Sequence, residues 1–231
     1  MRYLITLLLT LAIHISVLGE CGRASGPAPD GKIRVLLTSG GHGFEQAPFY
    51  AMFDAMEDVQ YTKAEMPKAL ALLKPGLEKK YDCIVMYDMC PTGITPEQQK
   101  AFIALLDSGI GVVSLHHNVG AHRDWDEWRK IIGGKFIFAD AEVDGKPYKK
   151  TPWAHGQELN VSIAAKHPIT KGLKDFTIHD ETYGKFYTAP NIQVLVTTDH
   201  PANNRELAWT TRYGKSRVFY LMLGHDGHAY K

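Results

Sequence analysis

The sequence predicts an α/β fold: a mostly parallel sheet with helices on both faces and an antiparallel extension in the C-terminal half. Three observations predict it. Short apolar, β-branched runs alternate with helical patterns up to about residue 132, which is the signature of a parallel sheet built from βα units. Those runs are continuously apolar, as strands covered on both faces are. After Gly134 strand-like runs follow one another without long helices between them, as antiparallel strands do.

The first strand is Ile33-Arg34-Val35-Leu36-Leu37, ending in Thr38-Ser39-Gly40-Gly41. From about Phe44 to Glu57, Phe49, Met52, Phe53 and Met56 recur at helical spacing. Gln60 to Ala64 forms a second strand and Tyr81 to Tyr87 a third. Thr95-Pro96-Glu97-Gln98 opens a helix: Thr95 is the N-cap, Pro96 takes the first helical position and Gln98 completes a capping box. Phe102, Ile103, Leu105 and Leu106 make its buried face, and Gly109 ends it. Gly111 to Leu115 is the fourth strand. Asp124 to Ile132 reads as a short helix with Trp125, Trp128 and Ile132 on one side. In the second half Gln157–Ile163, Phe176–His179, Ile192–Thr197, Glu206–Thr211 and Arg217–Leu223 read as strands, the last two joined by a Gly214-Lys215-Ser216 turn.

Composition narrows the function. The chain has 231 residues, 45% of them hydrophobic, enough to build a core. Lys+Arg number 26 against Asp+Glu 25, so no general field favours nucleic acid, and no basic run makes a local one. The three cysteines, Cys21, Cys83 and Cys90, cannot build a disulfide framework; Cys83 lies in an apolar run and reads as a small buried hydrophobe.

The N-terminus reads as an export signal. Arg2 supplies a short positive region, and Tyr3 to Leu18 is almost wholly apolar but too short for a membrane span. Residues 1–24 are expected to be removed. Leu18-Gly19-Glu20-Cys21 resembles a bacterial lipobox, with Glu20 where a small residue normally stands. Ordinary cleavage near Ala24 is the competing reading. Residues 25–31, rich in Gly, Pro and Ala, form a tether, and 32–231 the folded domain. The expected location is bacterial and exported, periplasmic or held by a lipid anchor, with no other membrane contact.

In open α/β sheets ligands bind beyond the carboxyl ends of the strands. Five such ends carry His or carboxylate groups: His42 after the first strand, Asp88 after the third, His116-His117-Asn118 after the fourth, His179-Asp180-Glu181 in the second half, and His225-Asp226 with His228 at the end. Asp88, His116, Asn118 and Asp180 are expected to contact substrate. Alternation along a strand would point His116 and His117 to opposite faces, so they would not share a role if the strand continued. His122, His155, His167 and His200 fall in loops. The Gly40-Gly41-His42-Gly43 turn lacks the spacing of a dinucleotide fingerprint or a P-loop, so no nucleotide cofactor is expected. Clustered imidazoles and carboxylates suit a divalent metal such as zinc, or metal-free acid–base work near neutral pH. The turn at Leu115-His116-His117 has no Ser or Cys for an elbow nucleophile.

Five segments in order give the chain a resemblance to the ThuA-like family, named for trehalose utilisation: Thr38–Phe44, Gly111–His117, His167–Leu173, Asp180–Tyr183 and Arg217–Asp226. The resemblance covers nearly all of Ile33 to Lys231. It implies a flavodoxin-like sheet similar to class I glutamine amidotransferases, without their Cys nucleophile and so without their reaction. It implies carbohydrate metabolism, in particular glycosides oxidised to a ketone at C3, and His42, His117, Glu181, His225 and Asp226 as site positions. Glu181 or His117 would be the base for the C2 proton. His42 and His225 would be metal ligands or oxyanion donors, and Asp226 would orient His225. Relatives usually continue into a final helix, so this chain reads as a fragment at its C-terminal end. The competing class is a non-catalytic carbohydrate-binding or scaffold module, for which the Trp and Tyr residues would furnish stacking platforms.

Overall fold

A computed structural model describes residues 31–90 and 93–230. The expected export signal at 1–24, with Cys21, and all but the last residue of the 25–31 tether lie outside the described residues. The strands, in chain order, are β1 (Ile33–Gly40), β2 (Val59–Glu65), β3 (Cys83–Asp88), β4 (Gly111–Leu115), β5 (Gly134–Lys135), β6 (Ala141–Val143), β7 (Lys146–Tyr148), β8 (Trp153–Ile163), β9 (Phe176–Tyr183), β10 (Tyr187–Thr188), β11 (Gln193–Thr198), β12 (Glu206–Tyr213) and β13 (Ser216–Leu221). The α-helices are α1 (Gln46–Asp54), α2 (Pro96–Leu106) and α3 (Glu127–Ile132). Short 3-10 turns fill several connections.

Nine strands form one sheet in the order β2-β1-β3-β4-β13-β12-β11-β8-β9. The first five are mutually parallel, and every later step is antiparallel. The expected parallel neighbours β1, β3 and β4 lie side by side, with Val35 opposite Cys83 and Ile84 opposite Val112. All six residues of β3 and all five of β4 are buried, which is why their sequences lack the polar alternation of a one-sided strand. Two-stranded pairs, β5 with β10 and β6 with β7, are additions that the sequence patterns do not announce.

The helices follow their local signals. Thr95 Oγ1 accepts from the Gln98 amide at 3.3 Å, and Gln98 Oε1 accepts from the Thr95 amide at 2.9 Å, so the capping box of α2 is complete. Phe102, Leu105 and Leu106 of α2 are buried against the sheet, each contributing about 1.5–3 kcal/mol of apolar transfer. Helix α3 stops at Gly133, whose φ of 76° is left-handed. A Cβ there would also stand 2.7 Å from Ile192 Cγ2 and 2.9 Å from Trp209 Nε1.

Two departures bear on the site. Strand β9 does not end at His179 but runs on to Tyr183, so Asp180 and Glu181 sit on the strand itself. Strand β8 starts at Trp153, four residues earlier than its apolar pattern. It pairs with β11 only at Val161–Ile163 but with β9 from Trp153 to Val161. The unpaired end of this ribbon extends past β11 and brings the last residues of β9 over the carboxyl ends of the parallel strands.

Candidate active site at the carboxyl edge of the sheet

Each wall of the site comes from one strand end. After β1 the chain turns through Gly40 and Gly41, at φ values of 122° and 73°. A Cβ on Gly41 would lie 2.5 Å from the Met89 carbonyl oxygen, so only glycine lets the β1 loop rest against the backbone after β3. That contact sets His42, whose ring lies 4.7 Å from the ring of His117.

After β4 the backbone breaks sharply. His116 has a φ of 47°, uncommon for a residue with a side chain, and opens a 3-10 turn from His116 to Gly120. The break cancels the strand alternation, so His116 and His117 are not sent to opposite faces: their rings are 5.3 Å apart and both join the cluster. Tyr220 donates to the His116 carbonyl at 2.8 Å and holds the turn.

His116 is fully buried. Its Nδ1 lies 2.6 Å from the Met222 carbonyl oxygen, which can only accept, so Nδ1 carries the proton. Its Nε2 faces Glu181 Oε2 at 3.0 Å, His225 Nδ1 at 3.2 Å and the Tyr183 hydroxyl at 2.9 Å. His225 Nδ1 stands 3.2 Å from Glu181 Oε2. These three ligand atoms therefore form a nearly equilateral triangle. In a tetrahedral zinc site with bonds of about 2.0–2.1 Å, ligand atoms are separated by about 3.3 Å. The set His116, Glu181 and His225 matches one face of such a site, and the Met222 carbonyl orients His116 as carbonyls behind metal-bound histidines do.

Imidazoles continue on both sides. His225 is 4.5 Å, ring to ring, from His155, and His155 Nδ1 lies 3.2 Å from the other Glu181 oxygen. His42, His117, His116, His225 and His155 thus make an unbroken row with Glu181 beneath one end. Burial pushes the Glu181 carboxyl up, but hydrogen bonds from His116 and His225, the His116 charge and the Tyr183 hydroxyl outweigh it and hold the group well below the carboxylate range. The Glu181 hydrogen bond raises His225. His117 is held well below the usual imidazole value by burial, then by its neighbours His116 and His42. Its Nε2 faces the Tyr87 carbonyl at 3.2 Å and so carries the proton, leaving Nδ1 as a lone pair. A cleft of about 670 Å³ opens beside His42, lined also by Ser39, Tyr50, Lys63 and Glu65.

The structure sorts the sequence-predicted residues. His42, His117, Glu181 and His225 converge, and His116 joins them as a ligand-type group at the centre of the cluster. His42 is exposed, donates from Nδ1 to the Gly43 carbonyl at 2.6 Å, and stands outside the triangle formed by His116, Glu181 and His225. Asp226 does not orient His225: its carboxylate accepts from the His228 amide at 2.8 Å and faces the His228 ring at 3.4 Å. The carboxylate that fixes His225 is Asp180, which accepts from the backbone amides of His225 at 3.0 Å, Gly224 at 2.7 Å and Glu181 at 2.8 Å. Asp180, Asp88 and Asn118, expected as substrate contacts, are all buried beneath the cluster. Asn118 takes the Ser114 hydroxyl at 2.7 Å and donates to the Asp88 carbonyl at 2.8 Å. Trp125 and Trp128 pack in the core, 7% and 3% exposed, so they offer no stacking surface.

Sequence reasoning missed the roles of Tyr183 and His155. Tyr183 closes the Asp180–Tyr183 segment, and its ring stacks on His116 at 5.0 Å. His155 reads as one loop histidine among four, because only pairing with β9 places it. His122, His167 and His200 stay outside the cluster; His122 packs against Trp128, and the other two accept local backbone amides.

The family model described as "ThuA: Trehalose utilisation" matches residues 34–231. Among solved structures, a putative ThuA-like protein from Parabacteroides merdae superposes with a TM-score of 0.64 at 22% identity, covering 86% of this chain and 84% of that one. A second, from Bacteroides uniformis, gives 0.61 at 18% identity, covering 85% and 84%. A cytoplasmic protein from Salmonella typhimurium LT2 gives 0.56 at 12% identity, covering 82% and 87%. At these identities the likeness is one of fold. No curated protein matches the sequence.

Proposed function

The chain belongs to the ThuA, trehalose utilisation, family, and from that premise we propose that it is an exported enzyme acting on glycosides or sugars related to trehalose, 3-keto-glycosides in particular. The observation that carries the reading is the convergence of His116 Nε2, Glu181 Oε2 and His225 Nδ1 beside the His42–His117 pair, at the edge where such sheets build clefts. We propose further that His116, Glu181 and His225 hold a divalent metal such as zinc. When bound, that ion would supply Lewis-acid stabilisation to an oxygen that becomes negative.

The chain's own groups account for the proton transfers. A ketone at C3 acidifies the proton on C2. In the proposed reaction His117 Nδ1, whose lone pair is left open by the Tyr87 carbonyl on Nε2, takes that proton and leaves an enediolate. The C1–oxygen bond then breaks, its electrons leave with the departing oxygen, and that oxygen takes the Nε2 proton of a His42 imidazolium, whose Nδ1 stays on the Gly43 carbonyl. Water then adds across the resulting double bond: its hydroxyl goes to C1, the proton held by His117 returns to C2, and the water's other proton restores the His42 imidazolium. Glu181 Oε2, which closes the triangle with His116 Nε2 and His225 Nδ1, is placed as a ligand rather than as a base. The Met222 carbonyl and the stacked Tyr183 ring fix the His116 ring in place.

The test is incubation of the purified protein with a panel of 3-keto-glycosides, with and without chelator. Turnover that is lost on chelation and restored by zinc is expected. His117→Asn and Glu181→Gln should each lower turnover by about a hundredfold or more, with folding intact. No turnover of any 3-keto-glycoside by metal-loaded protein would overturn the reading. N-terminal sequencing of protein from the native host checks export, and a chain beginning at Met1 would count against it.

A further inference from the structure

We propose that Trp153 and His155 form an outer subsite for a second sugar ring, the ring carried by the leaving group, so that the substrate is a disaccharide or longer glycoside. The inference rests on the carbohydrate reading above and adds to it which part of the molecule meets which residues.

Strand β8 carries one extra residue directly opposite Glu181. Ala154 pairs with Thr182 and Gln157 with Asp180, so His155 and Gly156 together face the single residue Glu181. Gly156 takes a left-handed φ of 62°, as a residue in such a bulge does. Bulges re-aim side chains, and this one places His155 Nδ1 3.2 Å from Glu181 Oε1. His155 Nε2 makes no hydrogen bond to the described residues, and the side chain is 56% exposed, so a donor or acceptor is left facing the solvent side.

Trp153 stands next along the same rim. It is 53% exposed, and among the described residues only it and Leu72 are large hydrophobic side chains left exposed. The Trp153 and His155 rings lie 4.9 Å apart between centroids, steeply inclined to one another, and His155 meets His225 at 4.5 Å. One side chain therefore separates the indole from the proposed reacting centre. The backbone of Trp153 is paired with Tyr183, whose hydroxyl touches His116. The platform is thus fixed to the strand that carries Glu181 and Tyr183, not to a separate loop. A pyranose ring has an apolar face of C–H groups and a rim of hydroxyls. A half-exposed indole with an imidazole beside it complements both, the first by stacking and the second by hydrogen bonding.

The experiment is isothermal titration of the full-length protein with a glucose disaccharide and with glucose, alongside sedimentation velocity. The disaccharide should bind the wild type more tightly than glucose. Trp153→Ala should weaken the disaccharide by about tenfold, the usual worth of an aromatic anchor, and leave glucose unchanged. Trp153→Phe should retain most of the affinity. Equal disaccharide binding by wild type and Trp153→Ala, with both sugars bound, overturns the subsite and leaves the carbohydrate reading standing. Binding of neither sugar by the wild type overturns the subsite, and the carbohydrate reading then stands or falls on turnover of the 3-keto-glycosides. A wild-type dimer that Trp153→Ala dissociates makes the indole an interface residue and also overturns the proposal.

Discussion

Asp88 lies at the end of β3 with none of its surface exposed. Thr38 donates to Oδ1 at 2.6 Å, and among the described residues Oδ2 has no hydrogen-bond partner. Burial pushes the carboxyl up from 3.8 to about 6, against the lowering effect of the Thr38 bond. Because the folded state holds the proton more tightly than the unfolded chain, this group's contribution to stability is fully present below pH 3.8 and is lost as pH rises through about 6. At 1.36 kcal/mol per tenfold, that interval is worth about 3 kcal/mol, and about 2 kcal/mol of it is recovered by pH 4.5. Above pH 7 the fold carries the whole cost of the buried charge.

Asp88→Asn removes the ionisation. The amide oxygen keeps the Thr38 hydroxyl, while the amide nitrogen takes the place of Oδ2 without an acceptor, a pH-independent penalty of about 1–3 kcal/mol. The variant should therefore be as stable as the wild type or more so at pH 8, and less stable at pH 4.5. Urea unfolding followed by circular dichroism at pH 4.5, 6 and 8 gives the difference at each pH. Other titrating groups are common to both proteins and subtract out. The difference should change by about 2 kcal/mol between pH 8 and pH 4.5. A difference constant to within about 0.5 kcal/mol would mean that Asp88 is not an ionised buried group, and the reasoning would fail.

Three other outcomes are expected. His122, buried with Nδ1 unpartnered and pushed down to about 4 by burial, is neutral in the fold; its stability contribution is present above 6.5 and lost as pH falls toward 4. His122→Asn tolerates the φ of 47° and should flatten the acid limb of the stability curve by about 2–2.5 kcal/mol, measured by thermal melts from pH 7 to 4.5. Gly41→Ala adds both a left-handed strain and a clash with the Met89 carbonyl, and should cost about 2–4 kcal/mol in urea unfolding. His116→Ala should weaken zinc binding, read by native mass spectrometry or calorimetry, by about a hundredfold, while His42→Ala should leave it unchanged.

The parallel half of the sheet was legible because β1, β3 and β4 are buried on both faces and their sequences are accordingly apolar throughout. The α2 start was legible because a capping box is local chemistry. What escaped was whatever depends on a partner distant in sequence. The end of β9 was misplaced because Asp180, Glu181 and Thr182 are polar, yet all three are buried. Polar residues halt an apolar pattern even where the strand continues. The kink at His116 follows from no residue preference at that position; it is held by Tyr220 and Met222, more than a hundred residues away. The bulge at His155 exists only relative to β9.

The same distinction explains the one carboxylate assigned to the wrong partner. Asp226 adjoins His225 in the chain and for that reason looks like its orienting group. A side chain and its immediate neighbour diverge on leaving an extended backbone, and the loop after β13 turns Asp226 toward His228. Asp180, on a strand that the ribbon carries over the sheet edge, instead reaches the backbone amides on both sides of the Gly224–His225 bond. A buried carboxylate must be satisfied by donors, and three backbone amides satisfy this one while fixing the position of His225 and of Glu181 together. The geometry of the cluster therefore rests on an acid that acts through backbone amides. Its sign in the sequence was a run of polar residues where an apolar strand should have continued.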